Sequence, residues 1–220
     1  MEDNKTYAWR YLLAFIIATA LFIIIFLTTY SISYLNYKGI EKENTLIQKY
    51  IKDFESYLNK NSCDESIITD STIKLDEVVS RLSILETRFG KSDSRVLEQK
   101  KIFSQLSYKH LQLVKKFIEM CNADITTFIF LYSNEEDYKK ESERIGVILS
   151  TLKNKYKTKA MIYSYDSNLD SDPILKIKKK QDIKEVPIVV IDEKYSQKVK
   201  NIDDLEQHII IKMNIINLAS

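Results

Sequence analysis

Thr126–Tyr132 reads TTFIFLY, a run made almost wholly of β-branched and aromatic residues. Its continuous apolar character predicts a strand that is buried on both faces of a sheet. Glu135 to Tyr156 then repeats apolar side chains at helical intervals, and Ala160 to Tyr165 (AMIYSY) reads as a second strand. The order β-α-β predicts a parallel strand pair joined by a right-handed crossover.

The rest of the C-terminal half continues this alternation. Asp172-Pro173 opens a short helix that runs to Lys180, and the segment from Val186 to Ile191 is a strand. Because proline cannot donate a ladder hydrogen bond, Pro187 is expected at the first residue of that strand, where a cis bond is an option. The chain then turns into a strand near 194–198 and ends in a helix that begins at Asp203 or Asp204. The predicted series is β-α-β-α-β-β-α.

Two helices precede the first strand. Ser62 to Glu65 has the spacing of a capping box, and apolar residues follow at helical intervals as far as Gly90, where the helix should end. Ser92 or Ser94 is expected to cap the next helix. One face of that helix carries Phe103, Leu106, His110, Leu113, Phe117 and Cys121. Residues 62–122 are therefore predicted to form an antiparallel helical hairpin.

Cys63 and Cys121 are the two cysteines of the chain. In a hairpin that turns near residue 92, positions whose numbers add to about 184 lie level, and these two cysteines meet that condition. We expect a structural Cys63–Cys121 disulfide. The alternative is a pair of buried free thiols, as in a reducing cytoplasm. Neither belongs to a Cys-X-X-Cys motif, and His110 reads as a core histidine, so no metal or cofactor site is expected.

The N-terminal segment is predicted to cross a membrane. Residues 11–37 carry no charge, and Leu12 to Leu27 is almost wholly apolar, whereas about 20 apolar residues span a bilayer. A cleavable signal peptide is the alternative, but its apolar centre would be shorter and end in a small-X-small site. Aromatic residues stand at both ends, namely Trp9, Tyr11, Tyr30, Tyr34 and Tyr37.

The charges around this segment favour, by a small margin, a cytoplasmic tail over residues 1–10 and a translocated C-terminal part, because Arg10 lies beside the span. Residues 38–61 are expected to be a helical stalk whose apolar stripe, from Ile40 to Leu58, needs a partner. The soluble domain is therefore expected outside the cytoplasm. With 33 basic against 31 acidic residues and no basic patch, nucleic acid is not an expected partner.

The segment GVILSTLKNKYKTKAMIYSYDSNLDSDPILKIKKKQDIKEVPIVVIDEKY, residues 146–195, resembles membrane-anchored thioredoxin-like proteins such as those of small-genome archaea. The element order is that of the thioredoxin fold, and Val186-Pro187 falls where thioredoxins carry a cis-proline. The resemblance implies an α/β thioredoxin-like domain over residues 124–220, preceded by the transmembrane helix and the antiparallel helical hairpin.

The sequence departs from this family at the redox motif. In thioredoxins a Cys-X-X-Cys pair precedes or opens the first helix of the domain, whereas Ser133 to Ser142 contains no cysteine. Counting back from Gly146 puts the two lost positions near Lys139 and Ser142. The resemblance further implies a peptide-contact loop formed by Val186, Pro187, Ser133 and Asn134.

These observations predict a non-catalytic, membrane-tethered module that binds or positions protein or peptide clients. Two alternatives stay open. Cys63 or Cys121 could serve as a remote redox site in a thiol-disulfide oxidoreductase, or the stalk and hairpin could be an architectural element that drives oligomerisation in the membrane.

Overall fold

The structure, a computed structural model, describes the backbone of residues 3–219 and the side chains of residues 9–31, 34 and 38–214. The described residues do not include Glu2, the side chains of Asp3 and Lys5, or the ring of Tyr37. The structure therefore does not test their expected roles in orienting the membrane span and in marking its aromatic ends. Two compact units divide the chain, Met1–Leu46 and Ile47–Ser220.

The first unit is helical. Helix α1 is Asp3–Leu58, and within it Trp9–Ser31 has a mean hydropathy of 2.7 and no buried residue. Among the described residues this is one helix that is long and apolar enough to cross a membrane, as predicted. The described part of this stretch ends at Ser31, so the expected limit at residue 37 lies outside the described residues. Residues 3–10, expected as a tail, are already helical.

The second unit includes the end of α1 and two long helices, α2 (Glu65–Phe89) and α3 (Ser94–Cys121). The two expected serine caps are wrong. Asp64 caps α2 and Asp93 caps α3, each through a carboxylate that accepts the backbone N–H two residues later. Asp side chains are as good at this position as Ser, so the pattern offered two candidates at each end. Gly90 ends α2 with a φ of 89°, a conformation that favours glycine.

Within the second unit, residues 47–58 of the predicted stalk pack on the hairpin. Ile47 and Phe54 are buried, and the Phe54 ring lies 5.5 Å from that of His110 in α3. Lys74 of α2 forms a 2.9 Å salt bridge with Asp53. Burying a phenylalanine contributes about 1.5–3 kcal/mol. Residues 47–58 therefore belong to the same compact unit as the hairpin rather than to a separate stalk.

The sheet has four strands in the order β2-β1-β3-β4: β1 (Thr126–Tyr132), β2 (Ala160–Asp166), β3 (Ile188–Ile191) and β4 (Tyr195–Gln197). β1 is parallel to β2 and antiparallel to β3, and β3 is antiparallel to β4. The predicted parallel pair and hairpin are confirmed. The expected start of β3 is wrong, because the ladder begins at Ile188, directly after Pro187.

Helices connect and cover these strands. After β1 comes α4 (Glu136–Tyr156), which a short 3-10 turn (Lys157–Lys159) joins to β2. α5 (Asp172–Lys180) lies between β2 and β3, and α6 (Asp203–Ala219) follows β4. The predicted helices are thus present, with bounds that differ by a residue or less from the expected ones at α4 and α5.

Both faces of the sheet are covered. On one face, Phe128 and Phe130 pack with the inner residues of α4 and α6, including Leu149 and Leu205. On the other face, Tyr163 is buried against α3, where its hydroxyl lies 2.9 Å from Nδ1 of His110. The helical hairpin therefore supplies the second layer of this domain, which explains why six of the seven residues of β1 are buried.

Candidate functional site

The predicted contact residues lie at one end of the sheet. β1 and β2 are parallel, so their carboxyl ends share this edge, and α4 begins there. β3 runs the opposite way, and Leu131 of β1 pairs with Ile188, so Pro187 precedes β3 at the same edge. Loops at the carboxyl ends of strands are a common place for ligand sites in α/β proteins. We call this edge the carboxyl end of the sheet.

Ser133 and Ser142 fix the turn between β1 and α4. The Ser133 N–H donates to the Ser142 hydroxyl at 3.2 Å, and the Glu135 N–H donates to the Ser133 hydroxyl at 3.1 Å. Both serines are buried. Ser142 therefore holds the backbone of the turn. Lys139, the other expected position of the lost redox motif, is exposed on α4.

Asn134 connects this turn to β2. Its side-chain amide donates to Asp166 Oδ2 at 2.7 Å, and the Asn168 amide donates to Ser133 Oγ at 3.2 Å and to Glu135 Oε1 at 2.7 Å. The structure thus brings Ser133, Asn134 and Ser142 together through hydrogen bonds. Such a network holds the backbone of this turn in one conformation.

Val186 and Pro187 lie on the β3 side of the same edge. The Val186-Pro187 peptide bond is cis, and both residues are half-buried. They share the carboxyl end of the sheet with Ser133 and Asn134, on the other side of β1 from β2.

A buried ion cluster beside Asn134 was not predicted. Lys100 of α3 is 3% exposed, and its ammonium lies 2.9 Å from Glu86 of α2 and 3.3 Å from Asp166, which is 6% exposed. We call Lys100, Glu86 and Asp166 the buried triad. Breaking a buried ion pair by removing one partner costs about 3–5 kcal/mol. The sequence carries one signal of this cluster: Lys100 stands three residues before Phe103, on the side of α3 that faces the sheet.

Two tyrosines stand near the triad. Burial, together with the charges of Asp166 and Glu86, raises the pKa of Tyr132 well above its ordinary value. Burial also raises the pKa of Tyr165, whose hydroxyl accepts a hydrogen bond from Ser107 at 3.2 Å. Both phenols are therefore neutral at physiological pH.

A cavity of about 350 Å³ opens beside the triad, between α2, α3, α4 and β2. Its walls are mainly apolar, and its charged end is formed by Lys100, Glu86 and Asp166. A second cavity of about 190 Å³ shares Glu86 and Tyr132 with the first and extends to Lys139 and Ser142. The larger cavity, apolar with a few polar groups, falls at the lower end of the size range of ligand pockets.

The two cysteines lie at the other end of the sheet. The Sγ atoms of Cys63 and Cys121 are 2.03 Å apart, which is disulfide bonding distance, as predicted from the spacing. Cys121 ends α3 just before β1 begins, whereas Lys100, on the same helix, contacts the end of β2. At 1.5 Å per residue, about 30 Å of helix separates them. The cysteines are thus remote from the predicted contact residues.

His110 belongs to the core, as predicted. It is fully buried, and its Nε2 lies 3.3 Å from the Thr72 hydroxyl. Burial, with a smaller contribution from the charge of Lys153, lowers the pKa of His110 to about 3. The ring is neutral at physiological pH. Among the described residues, no group of three or more His, Cys, Asp or Glu side chains is placed to hold a metal ion.

Comparisons with protein families, with curated proteins and with solved structures found no match to this chain.

Proposed function

We propose that this chain is a membrane-tethered, thioredoxin-like module that binds or positions proteins outside the cytoplasm and performs no thiol chemistry. One observation carries the proposal: both cysteines are joined to each other at the opposite end of the sheet from Pro187. Disulfide exchange needs a thiolate at the site where the substrate docks. Here that edge offers serine hydroxyls, an amide and carboxylates.

The connectivity supports a thioredoxin-like fold. The chain follows the order β-α-β-α-β-β-α from β1 to α6, with a parallel β1–β2 pair and an antiparallel β3–β4 hairpin. The sheet is covered by helices on both faces. The membrane anchor and the helical hairpin are additions to that fold at the N-terminal side.

The disulfide supports a location outside the cytoplasm. Such bonds persist in oxidising compartments and are rare in the cytosol. The Cys63 corner is also held by Lys116, whose ammonium donates to the Leu58 carbonyl at 2.7 Å and to Asn61 Oδ1 at 2.8 Å. This corner is built as a structural element, which agrees with a cross-link rather than with a reactive thiol pair.

The client surface is proposed at Val186, Pro187, Ser133 and Asn134. The hydrogen bonds of Ser133 and Asn134 fix the start of α4, and the exposed first turn of α4 presents Glu136 and Asp137 beside them. A rigid edge of this kind binds without a large loss of conformational entropy. The proposal assigns it to protein clients by analogy with the fold.

Site-specific photo-crosslinking in the native membrane tests this surface. A photoreactive amino acid at Val186 or at Glu136 should give the same protein adduct. The same amino acid at Ile84, which is 65% exposed on α2, is the control and should not give it. Equal adducts at all three positions, or none at Val186 and Glu136, would contradict the proposed surface.

A disulfide-reduction assay tests the absence of thiol chemistry. The full chain in detergent should not accelerate reduction of an insulin disulfide by dithiothreitol. Turnover that is lost in Cys121→Ser, with the fold intact, would instead establish the oxidoreductase alternative.

A further inference from the structure

β2 leaves one edge of the sheet unpaired. It is the outer strand, and its seven residues pair with β1 alone. Five consecutive residues of β2, Ile162–Asp166, line the 350 Å³ cavity described above. An unpaired strand edge presents backbone N–H and C=O groups that another extended chain can bind. We call this space, with the adjoining 190 Å³ cavity, the β2 groove.

The walls of the β2 groove are apolar and come from two helices. α2 contributes Leu75, Val79 and Leu82, and α4 contributes Gly146 and Leu149. Val79 is 44% exposed at the groove. Alternate side chains of an added strand would therefore meet apolar surface on one side.

Gly146 leaves room along the α4 wall. A glycine inside a helix costs about 1 kcal/mol relative to alanine. A Cβ at this position would meet no atom within 4 Å, so packing inside the protein does not require the glycine. Its place in the wall suits the close approach of another backbone.

The buried triad itself carries one excess negative charge, while the exposed Lys139 lines the adjoining smaller cavity. The buried triad places one ammonium, that of Lys100, between the carboxylates of Glu86 and Asp166. Asp166 has a further donor in Asn134, whereas Glu86 is 23% exposed and lines both parts of the groove. A cationic side chain is the group that complements this end.

Two ion pairs link the walls across the groove. Lys153 of α4 lies 2.5 Å from Asp76 of α2, and Lys91 lies 3.8 Å from Glu143 of α4. All four side chains are 40% exposed or more. Exposed pairs contribute about 0–1 kcal/mol, so their loss is a small obstacle to an entering chain.

We propose that the β2 groove binds an extended peptide segment as an additional strand on the free edge of β2, with a lysine or arginine side chain placed at Glu86. Five strand residues span about 16 Å, which matches the length of β2 that lines the groove. Backbone hydrogen bonds supply affinity, and the anionic end selects the basic side chain. Val186 and Pro187 lie on the opposite side of β1 from this groove, whereas Asn134 of the proposed client surface lines its smaller part.

Peptide binding to the full chain in detergent, measured by fluorescence anisotropy, tests the proposal. The probe is a labelled Thr-Val-Lys-Val-Thr peptide, compared with a version that carries Glu in place of Lys and with one whose alternate backbone amides are N-methylated. The lysine peptide should bind at least tenfold more tightly than either. Equal binding of the lysine and glutamate peptides, undiminished binding of the N-methylated peptide, or no binding at millimolar concentration would overturn it.

Variants locate the binding. Gly146→Leu should fill the groove and weaken binding at least tenfold, while the neighbouring Val147→Leu, on the exposed side of α4, is the matched control and should leave it unchanged. Glu86→Gln should remove the preference for lysine over glutamate. Urea unfolding of each variant verifies the fold. Strand addition would be refuted if a folded Gly146→Leu chain bound the peptide fully. It would also be refuted if n-hexylamine displaced the labelled peptide as well as the unlabelled peptide does.

Discussion

Removing the Cys63–Cys121 disulfide is the perturbation whose magnitude can be worked out most directly. The bond joins residues that are 58 positions apart. In the chain-entropy relation, releasing a loop of that length lowers the free energy of unfolding by about 4 kcal/mol. Lys116 still holds the same corner through the Leu58 carbonyl and Asn61. We therefore expect the reduced protein to remain folded but to be less stable by about this amount.

Urea unfolding of the full chain in detergent, followed by far-ultraviolet circular dichroism, measures the effect. With a urea dependence of about 2 kcal/mol per molar, the midpoint should fall by about 2 M on reduction. The Cys63→Ser/Cys121→Ser double variant should show the same midpoint with and without reductant. It is the control for effects of the reductant itself.

A shift of less than about 0.5 M for both the reduced protein and the double variant would refute the reasoning. It would mean that the unfolded chain is already restricted without the bond, or that the folded state is strained by it. Mass mapping of protein taken from membranes provides a separate check. Two free thiols there would reject both the bridge and the proposed extracytoplasmic location.

Three further predictions concern the core and the groove. The pKa of His110 is depressed to about 3, so the unfolded chain takes up a proton before the folded chain does as the pH falls. The contribution of His110 to the free energy of unfolding is full above about pH 6.5 and declines below it by up to about 1.4 kcal/mol per pH unit. In His110→Gln this part of the pH dependence should vanish from the urea midpoints. Lys100→Met removes the cation that faces the buried Asp166 and should destabilise the fold by about 3–5 kcal/mol; a Lys100→Met/Asp166→Asn chain should regain part of that loss in the same assay. Gly146→Ala adds a Cβ into open space within a helix and should raise the free energy of unfolding by about 1 kcal/mol, and a loss of stability would contradict the openness of the groove wall.

The elements predicted from the sequence are those with strong local signals. β1 and α5 were expected at their observed bounds, because an apolar run and a proline at the helix start are local features. The Cys63–Cys121 pairing followed from the equal rise per residue of two helices that fold back on each other at one loop. Each of these inferences needs a period or a spacing and no knowledge of distant contacts.

The features that were missed depend on competition between neighbours or on distant contacts. Asp64 and Asp93 cap their helices where serines stood one or two residues away, and either residue type can serve. The buried triad draws Lys100, Glu86 and Asp166 from α3, α2 and β2. A lysine inside a core stripe signals a buried partner, but its identity is set by the tertiary arrangement.

The disulfide and the buried triad lie at opposite ends of the sheet. α3 carries Cys121 at one end and Lys100 at the other, and it also covers the face that holds Tyr163. Sites separated by more than about 10 Å without shared partners contribute independently to stability. The cross-link can therefore stabilise the hairpin without dictating the geometry at the carboxyl end of the sheet. That end is positioned instead by the hydrogen bonds of Asn134 and by the buried triad, so the proposed client surface rests on polar groups and not on the disulfide.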